Sequence, residues 1–300
     1  MKKGLVVLIV VGAVLLTAGG ALLGVEIANN ALSTSGPLVT NDHDINESFN
    51  KVNIAIDVAD LEFKKAEGDK CKVVCVEKEK VYHEVKVVDD TLKIEGKDTS
   101  EWYEHIFNYA NGMKVTVYLP EKTYSDVTIV SSTGDIIIDN AYTFTNFAVS
   151  LSTGNINIKN VTSDNVTITS STGNQTLENM HVFNKFTVNA STGRLNLNNI
   201  SCSSDVTLET STGKINLDNL ITSKHLSVKA STGDVTFKNI DANTIKIETD
   251  TGDVSGNILT DKLFRVDTHT GHKNYPTETR GELCEIYTHT GNIDVTVGAK

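Results

Sequence analysis

Apolar residues along most of this chain recur at every second position, in short runs separated by polar turns, and the turns return with a fixed period. The dipeptide Thr-Gly begins at positions 133, 153, 172, 192, 212, 232, 251, 270 and 290, with spacings of 20, 19, 20, 20, 20, 19, 19 and 20. Aligned on Gly134, Gly154, Gly173, Gly193, Gly213, Gly233, Gly252, Gly271 and Gly291, the sequence resolves into columns. Five residues before each glycine stands an apolar residue, from Ile129 and Val149 to Val266 and Ile286, and another stands seven before. Two and four residues after it come pairs such as Ile136 and Ile138, Leu195 and Leu197, and Val235 and Phe237. A period of two in both flanks predicts a strand on each side of the glycine with one face turned inward. The glycine is then the corner, where a positive φ is needed and neighbouring Ser and Thr hydroxyls satisfy turn amides.

A second column decides how these strands are arranged. Asn140, Asn160, Asn179, Asn199, Asn219 and Asn239 each lie six residues after a corner glycine. Identical amides at every coil make sense when equivalent positions stack about 4.8 Å apart and bond to one another, as in a ladder. Hairpins give no reason for such identity, whereas a solenoid makes equivalent positions neighbours. The chain over 121–300 therefore reads as an all-β, right-handed parallel β-helix or solenoid of about nine coils, each of 19–20 residues.

The pattern changes toward the N-terminus. Residues 45–120 carry strand patterns without the Thr-Gly register and read as a β-rich cap over one open end of the solenoid. Within it, Trp102, Ile106 and Tyr109 sit at helical spacing, as an aromatic plug or a carbohydrate-stacking patch. Residues 28–44, with Gly36 and Pro37, read as a flexible linker. Residues 1–27 hold an uncharged run, Gly4 to Val25, that as a helix would be about 33 Å long and span a bilayer. Lys2 and Lys3 before it and Glu26 after it place the N-terminus in the cytoplasm and the rest outside. An uncleaved anchor is the leading expectation and a cleaved signal, after Ala18, Gly19 and Gly20, the alternative.

Charge and composition narrow the function classes. A net charge of -11 and only three arginines (Arg194, Arg265, Arg280) argue against nucleic acid as a partner. Cys71 and Cys75 share one strand face about 13 Å apart, too far for a disulfide, and their spacing alone is weak as a zinc motif. Asp234 and Asp253 fall in one column of adjacent coils with Asp250 beside them, a pair that a retaining glycosidase or a calcium site would use. Exposed turn aspartates that bond their own backbone are the simpler reading. His269 and His289, with His272 nearby, are the candidate metal ligands, set against surface histidines that merely replace serine. Thr249, Thr251, Thr268, Thr270, Thr288 and Thr290 form a short array of the kind that orders water. No catalytic residue and no cofactor are expected.

The stretch "VTVYLP" leading into "YSDVTIVSSTGDIIID", followed by repeated "STGxI", resembles the bacterial putative-adhesin family, a domain of unknown function often found behind one transmembrane helix. The resemblance covers residues 45–297. It implies an envelope-associated β-solenoid, in some cases similar to accessory proteins of envelope-stress systems, and it brings no catalytic residues. The function expected is a non-enzymatic, membrane-anchored, extracytoplasmic interaction or structural module, with an envelope protein or a glycan as partner and an open oligomeric state. An accessory role in envelope-stress signalling, a bactofilin-like polymer and a carbohydrate-active enzyme follow in that order.

Overall fold

The structure, a computed structural model, describes residues 37–100, 112–277 and 280–298. Among these residues every regular element is a strand. The N-terminal part holds β1 (Val39–Ile45), β2 (Lys51–Val58), β3 (Asp60–Lys65), β4 (Cys71–Glu77), β5 (Val81–Val88), β6 (Thr91–Asp98) and β7 (Lys114–Leu119). The repeats hold β8 (Thr123–Thr133), β9 (Ile136–Ile138), β10 (Tyr142–Thr153), β11 (Ile156–Lys159), β12 (Val161–Thr172), β13 (Gln175–Thr192), β14 (Leu195–Cys202) and β15 (Asp205–Thr212). They continue through β16 (Ile215–Thr222), β17 (His225–Thr232), β18 (Val235–Ile240), β19 (Thr244–Thr251) and β20 (Val254–Ile258). The last strands are β21 (Leu263–Thr270), β22 (Lys273–Asn274), β23 (Leu283–Thr290) and β24 (Ile293–Val297).

Equivalent strands of successive repeats pair in parallel and in register, so that Val166 lies on Phe186, Phe186 on Val206 and Val206 on Leu226. The inward positions of these strands form one continuous core running the length of the molecule. Each fully buried Val, Leu or Ile in it contributes about 1.5–3 kcal/mol. Nine stacked Thr-Gly corners bound about eight full turns of an all-β solenoid.

The corner glycines are fixed by stacking as well as by torsion. At Gly213, φ is 148° and a Cβ would lie 1.8 Å from the carbonyl oxygen of Gly193 in the coil below. No side chain fits there. The asparagine column makes a second corner: Asn160, Asn179, Asn199, Asn219 and Asn239 have φ between 52° and 59°. Asparagine is among the few non-glycine residues that tolerate this left-handed region.

Stacking order departs from chain order at both ends. Near the C-terminus, β19 pairs with β23 rather than β21, and β23 in turn pairs with β21. Likewise β20 pairs with β24 and β24 with β22. The final repeat is thus inserted between the coils of Gly252 and Gly271, and the penultimate repeat forms the outer end. Lys262, almost fully buried, holds the crossing chain by donating to Ala242 O at 2.7 Å and pairing with Asp241 at 2.8 Å. At the other end β2 and β3 form a coil of their own, in parallel with β8 and β9, so part of the expected cap is in solenoid register. Beyond it lie β6 on β2 and β7 on β3, and then β4, β5 and β1 in antiparallel pairing. Here too the chain passes over a coil already in place, between β7 and β8.

One boundary shifts as well. The expected linker over 28–44 ends inside β1, whose Val39–Ile45 backbone pairs with β4 and is ordered by it. Among the described residues no helix is long and apolar enough to cross a membrane. The expected anchor over residues 1–27 and the aromatic stretch with Trp102, Ile106 and Tyr109 lie outside the described residues.

The torsional and hydrogen-bonding roles of the asparagine column are separable. Asn219→Gly keeps the left-handed torsion and loses only the side-chain bonds, with an expected loss of about 1–2 kcal/mol. Asn219→Ala loses both and should cost about 1–2 kcal/mol more. Urea unfolding of the two variants checks this, and equal losses would remove the torsional argument.

Candidate functional site

The lateral faces carry four polar columns. In the first, Asn179, Asn199, Asn219 and Asn239 each donate Nδ2 to the Oδ1 of the asparagine one coil earlier, all at 3.1 Å. Asn257 extends the ladder by donating to Asn239 Oδ1 at 3.1 Å. Asn140 is placed differently, with its Nδ2 3.4 Å from Phe63 O in the N-terminal coil and an ordinary negative φ. Sequence counting missed Asn257 because its repeat is one residue short between Gly252 and the corner.

The second column follows the glycine. Asp135, Asn155 and Asn174 each use Oδ1 to accept the amide of the next coil's equivalent residue, at 2.8, 3.1 and 3.0 Å. Asp234 accepts from Asp253 N at 3.1 Å, Asp253 from Asn292 N, and Asn292 from His272 N at 3.0 Å. The two aspartates read as a candidate acid pair are therefore links in a chain of turn bonds. The Lys214 ammonium, 2.7 Å from Asp234, and the Asp253 amide hold the Asp234 carboxyl below its ordinary range.

The third column brings together part of the histidine set. His269 and His289 stack with ring centroids 5.0 Å apart and an interplanar angle of 7°. The inserted last coil sets their order, which runs Asp250, His289, His269 rather than along the chain. His272 is held elsewhere in the turn, on Asn292. Among the described residues, the group of three whose ligating atoms all lie within 4.8 Å of one another is Cys75, Glu77 and His83, so the three surface histidines do not close to that separation. Sequence reasoning missed this group although Glu77 falls in the inward phase of Cys71, Val73 and Cys75. That phase was the available signal.

The threonine array is split by the corner. Thr249, Thr268 and Thr288 turn inward and donate to the glycine carbonyls of Gly233, Gly291 and Gly252 at 3.2, 2.9 and 3.0 Å. Only Thr251, Thr270 and Thr290 remain exposed, which leaves no flat double row.

The fourth column lines a shallow trough of about 400 Å³ on the face after the glycine corner. Asn216 donates to Asn196 Oδ1 and Thr236 to Asn216 Oδ1, both at 2.7 Å. Glu178, Asp218 and Lys238 form its other wall. Asp218 Oδ1 is shielded from solvent and has no hydrogen-bond partner.

Residues 49–295 match the Toastrack DUF4097 family. The chain belongs to that family. The chain also matches solved structures at low identity and low TM-score. A protein described as a putative adhesin from Bacteroides fragilis NCTC 9343 is 17% identical, with 88% of this chain and 99% of that one covered and a TM-score of 0.37. A putative lipid binding protein from Parabacteroides distasonis ATCC 8503 is 14% identical, with coverage of 88% and 98% and a TM-score of 0.42. A putative adhesin from the same organism is 14% identical, with coverage of 88% and 98% and a TM-score of 0.40. Among curated proteins none matches the chain.

The depressed Asp234 carboxyl fixes a sign. Its pairing stabilises the fold above the ordinary carboxylate range, and that contribution is lost as pH falls through the lowered folded value. Asp234→Asn should therefore lower the urea midpoint at pH 7 and converge on the parent in acid, once pH falls below the lowered carboxyl value. A constant gap across that range would show that charge plays no part.

Proposed function

We propose that this Toastrack DUF4097 protein is a non-enzymatic, adhesin-like interaction module of the bacterial cell envelope, held at the membrane by residues 4–25 and extending outward as a β-solenoid. The observation that carries the reading is the trough of Asn196, Asn216 and Thr236, whose polar groups repeat from coil to coil. The parallel-strand repeat is about 4.8 Å, close to the length of one sugar unit in an extended chain. The half-buried Glu178 and Asp218 carboxylates in the trough wall offer acceptors to hydroxyl donors. A hydroxyl-bearing polymer lying along the rod supplies such donors at repeated intervals, and it favours a glycan over a protein as partner.

The trough is shallow and open, which suits weak contacts summed along a polymer rather than enclosure of a small substrate. The acidic surface agrees with a neutral or cationic glycan. Lateral faces are free for this role because the coils carry the fold through their interior.

Retention of the purified full-length chain on envelope glycan tests the proposal. Asn216→Arg, which fills the middle of the trough, should weaken retention at least about tenfold, equivalent to about 1.4 kcal/mol. Thr207→Arg on the other long face should leave it unchanged. Equal retention by both variants would contradict the trough as the binding face. Recovery of an integral membrane protein in place of glycan would favour the envelope-stress role.

A further inference from the structure

The N-terminal part contains a polar cluster that the proposed binding role does not use. The inward face of β4 runs Cys71, Val73, Cys75 and Glu77, each no more than 3% exposed. A carboxylate in that series is costly unless its oxygens are satisfied. Glu77 Oε2 accepts from the amide and from the imidazole Nδ1 of His83, both at 2.8 Å, and Asn41 Nδ2 donates to Glu77 Oε1 at 2.6 Å. His83 is itself only 4% exposed. Those bonds account for a buried acid and base. They do not account for a thiol as third member: the Cys75 sulfur lies within 4.8 Å of the ligating atoms of both Glu77 and His83.

We propose that Cys75, Glu77 and His83 form a metal site for a zinc-class divalent cation. One sulfur, one imidazole nitrogen and one carboxylate oxygen are a donor set that zinc takes in tetrahedral coordination. The Nδ1–Oε2 contact of 2.8 Å is bridged by the imidazole proton; it opens to about 3.3 Å to admit a tetrahedral zinc, with that proton moving to Nε2. Cys75 loses one proton to solvent as its sulfur coordinates. Thiolate and carboxylate together then neutralise the dication, which a buried site requires. Water or a further protein group completes the coordination. Asn41, which holds the second oxygen of Glu77, acts as an orienting partner outside the ligand set.

The surroundings fit entry and release. Among the described strands β1 pairs with β4 alone, and its residues Val39 to Asp42 are exposed. Opening of this edge strand uncovers the cluster without disturbing the solenoid. A thiol must lose its proton to coordinate, so metal uptake strengthens as pH rises. His83 pairs with Gly96 on β6, which adds no side chain beside the imidazole.

The test uses the full-length chain, reduced and stripped with a chelator, titrated with zinc and separately with cobalt(II). One equivalent of zinc should bind, and the cobalt adduct should show a thiolate-to-cobalt charge-transfer absorption. Cys75→Ser should remove that absorption, whereas Cys71→Ser, on the same strand face, and His289→Ala, in the surface pair, should keep it. Asn41→Ala should weaken zinc at least about tenfold while the absorption persists. Failure to bind zinc, a cobalt adduct without the thiolate absorption, or an absorption that survives Cys75→Ser would overturn the proposal. The cobalt spectrum of the unsubstituted chain decides on its own should a variant fail to fold.

Discussion

The contact on which the rest of the molecule depends is the approach of one corner to the next. At each Thr-Gly turn the chain passes so close to the coil beneath that a Cβ would sit about 2 Å from a backbone carbonyl. Only a chain without a side chain at that point can turn there and still keep strands in hydrogen-bonding distance. Once the corners coincide, every other position is forced into a vertical column. Apolar columns become the core, and polar columns become ladders whose members satisfy one another. The exposed faces are then repetitive by construction, and a repetitive polar face suits a repetitive ligand.

The same rule governs the ends. A solenoid terminus leaves a strand edge unpaired, and edges invite further pairing. At both ends this chain lays one segment outside another that precedes or follows it in sequence. The last repeat is gripped between two coils, and Lys262 with Asp241 fastens the strand that crosses over. The N-terminal coil of β2 and β3 is enclosed in the same manner between β8 and β9 on one side and β6 and β7 on the other. Terminal segments buried within the stack are harder to fray than segments laid on its end. At the N-terminal side the fold closes with antiparallel strands, and the Cys75 cluster lies beneath the outermost of these.

Most of the solenoid was legible because a stacked fold writes spatial neighbours as sequence repeats. The corner glycines and the asparagine column were visible for that reason. What could not be read was the order of stacking. His269 and His289 occupy equivalent positions in nearly identical turns, so either coil fits beside Gly252, and sequence spacing cannot separate the two arrangements. The coil of β2 and β3 was hidden for a different cause. Its corner is Ala59, which needs no glycine because the layer beyond it consists of the separate strands β6 and β7 rather than another turn. His83 was missed because the feature that unites it with Cys75 and Glu77 is a change of direction between β4 and β5, which periodicity does not encode.

Hydrogen exchange along the C-terminal repeats tests most directly whether corner stacking, rather than chain order, sets the architecture. Backbone amides of Leu263–Thr270, on the outer coil, should exchange faster than those of Leu283–Thr290 and Ile293–Val297, which lie inside it although nearer the end of the chain. Faster exchange over Leu283–Val297 than over Leu263–Thr270 would mean that the coils follow one another in sequence order, and would contradict the account.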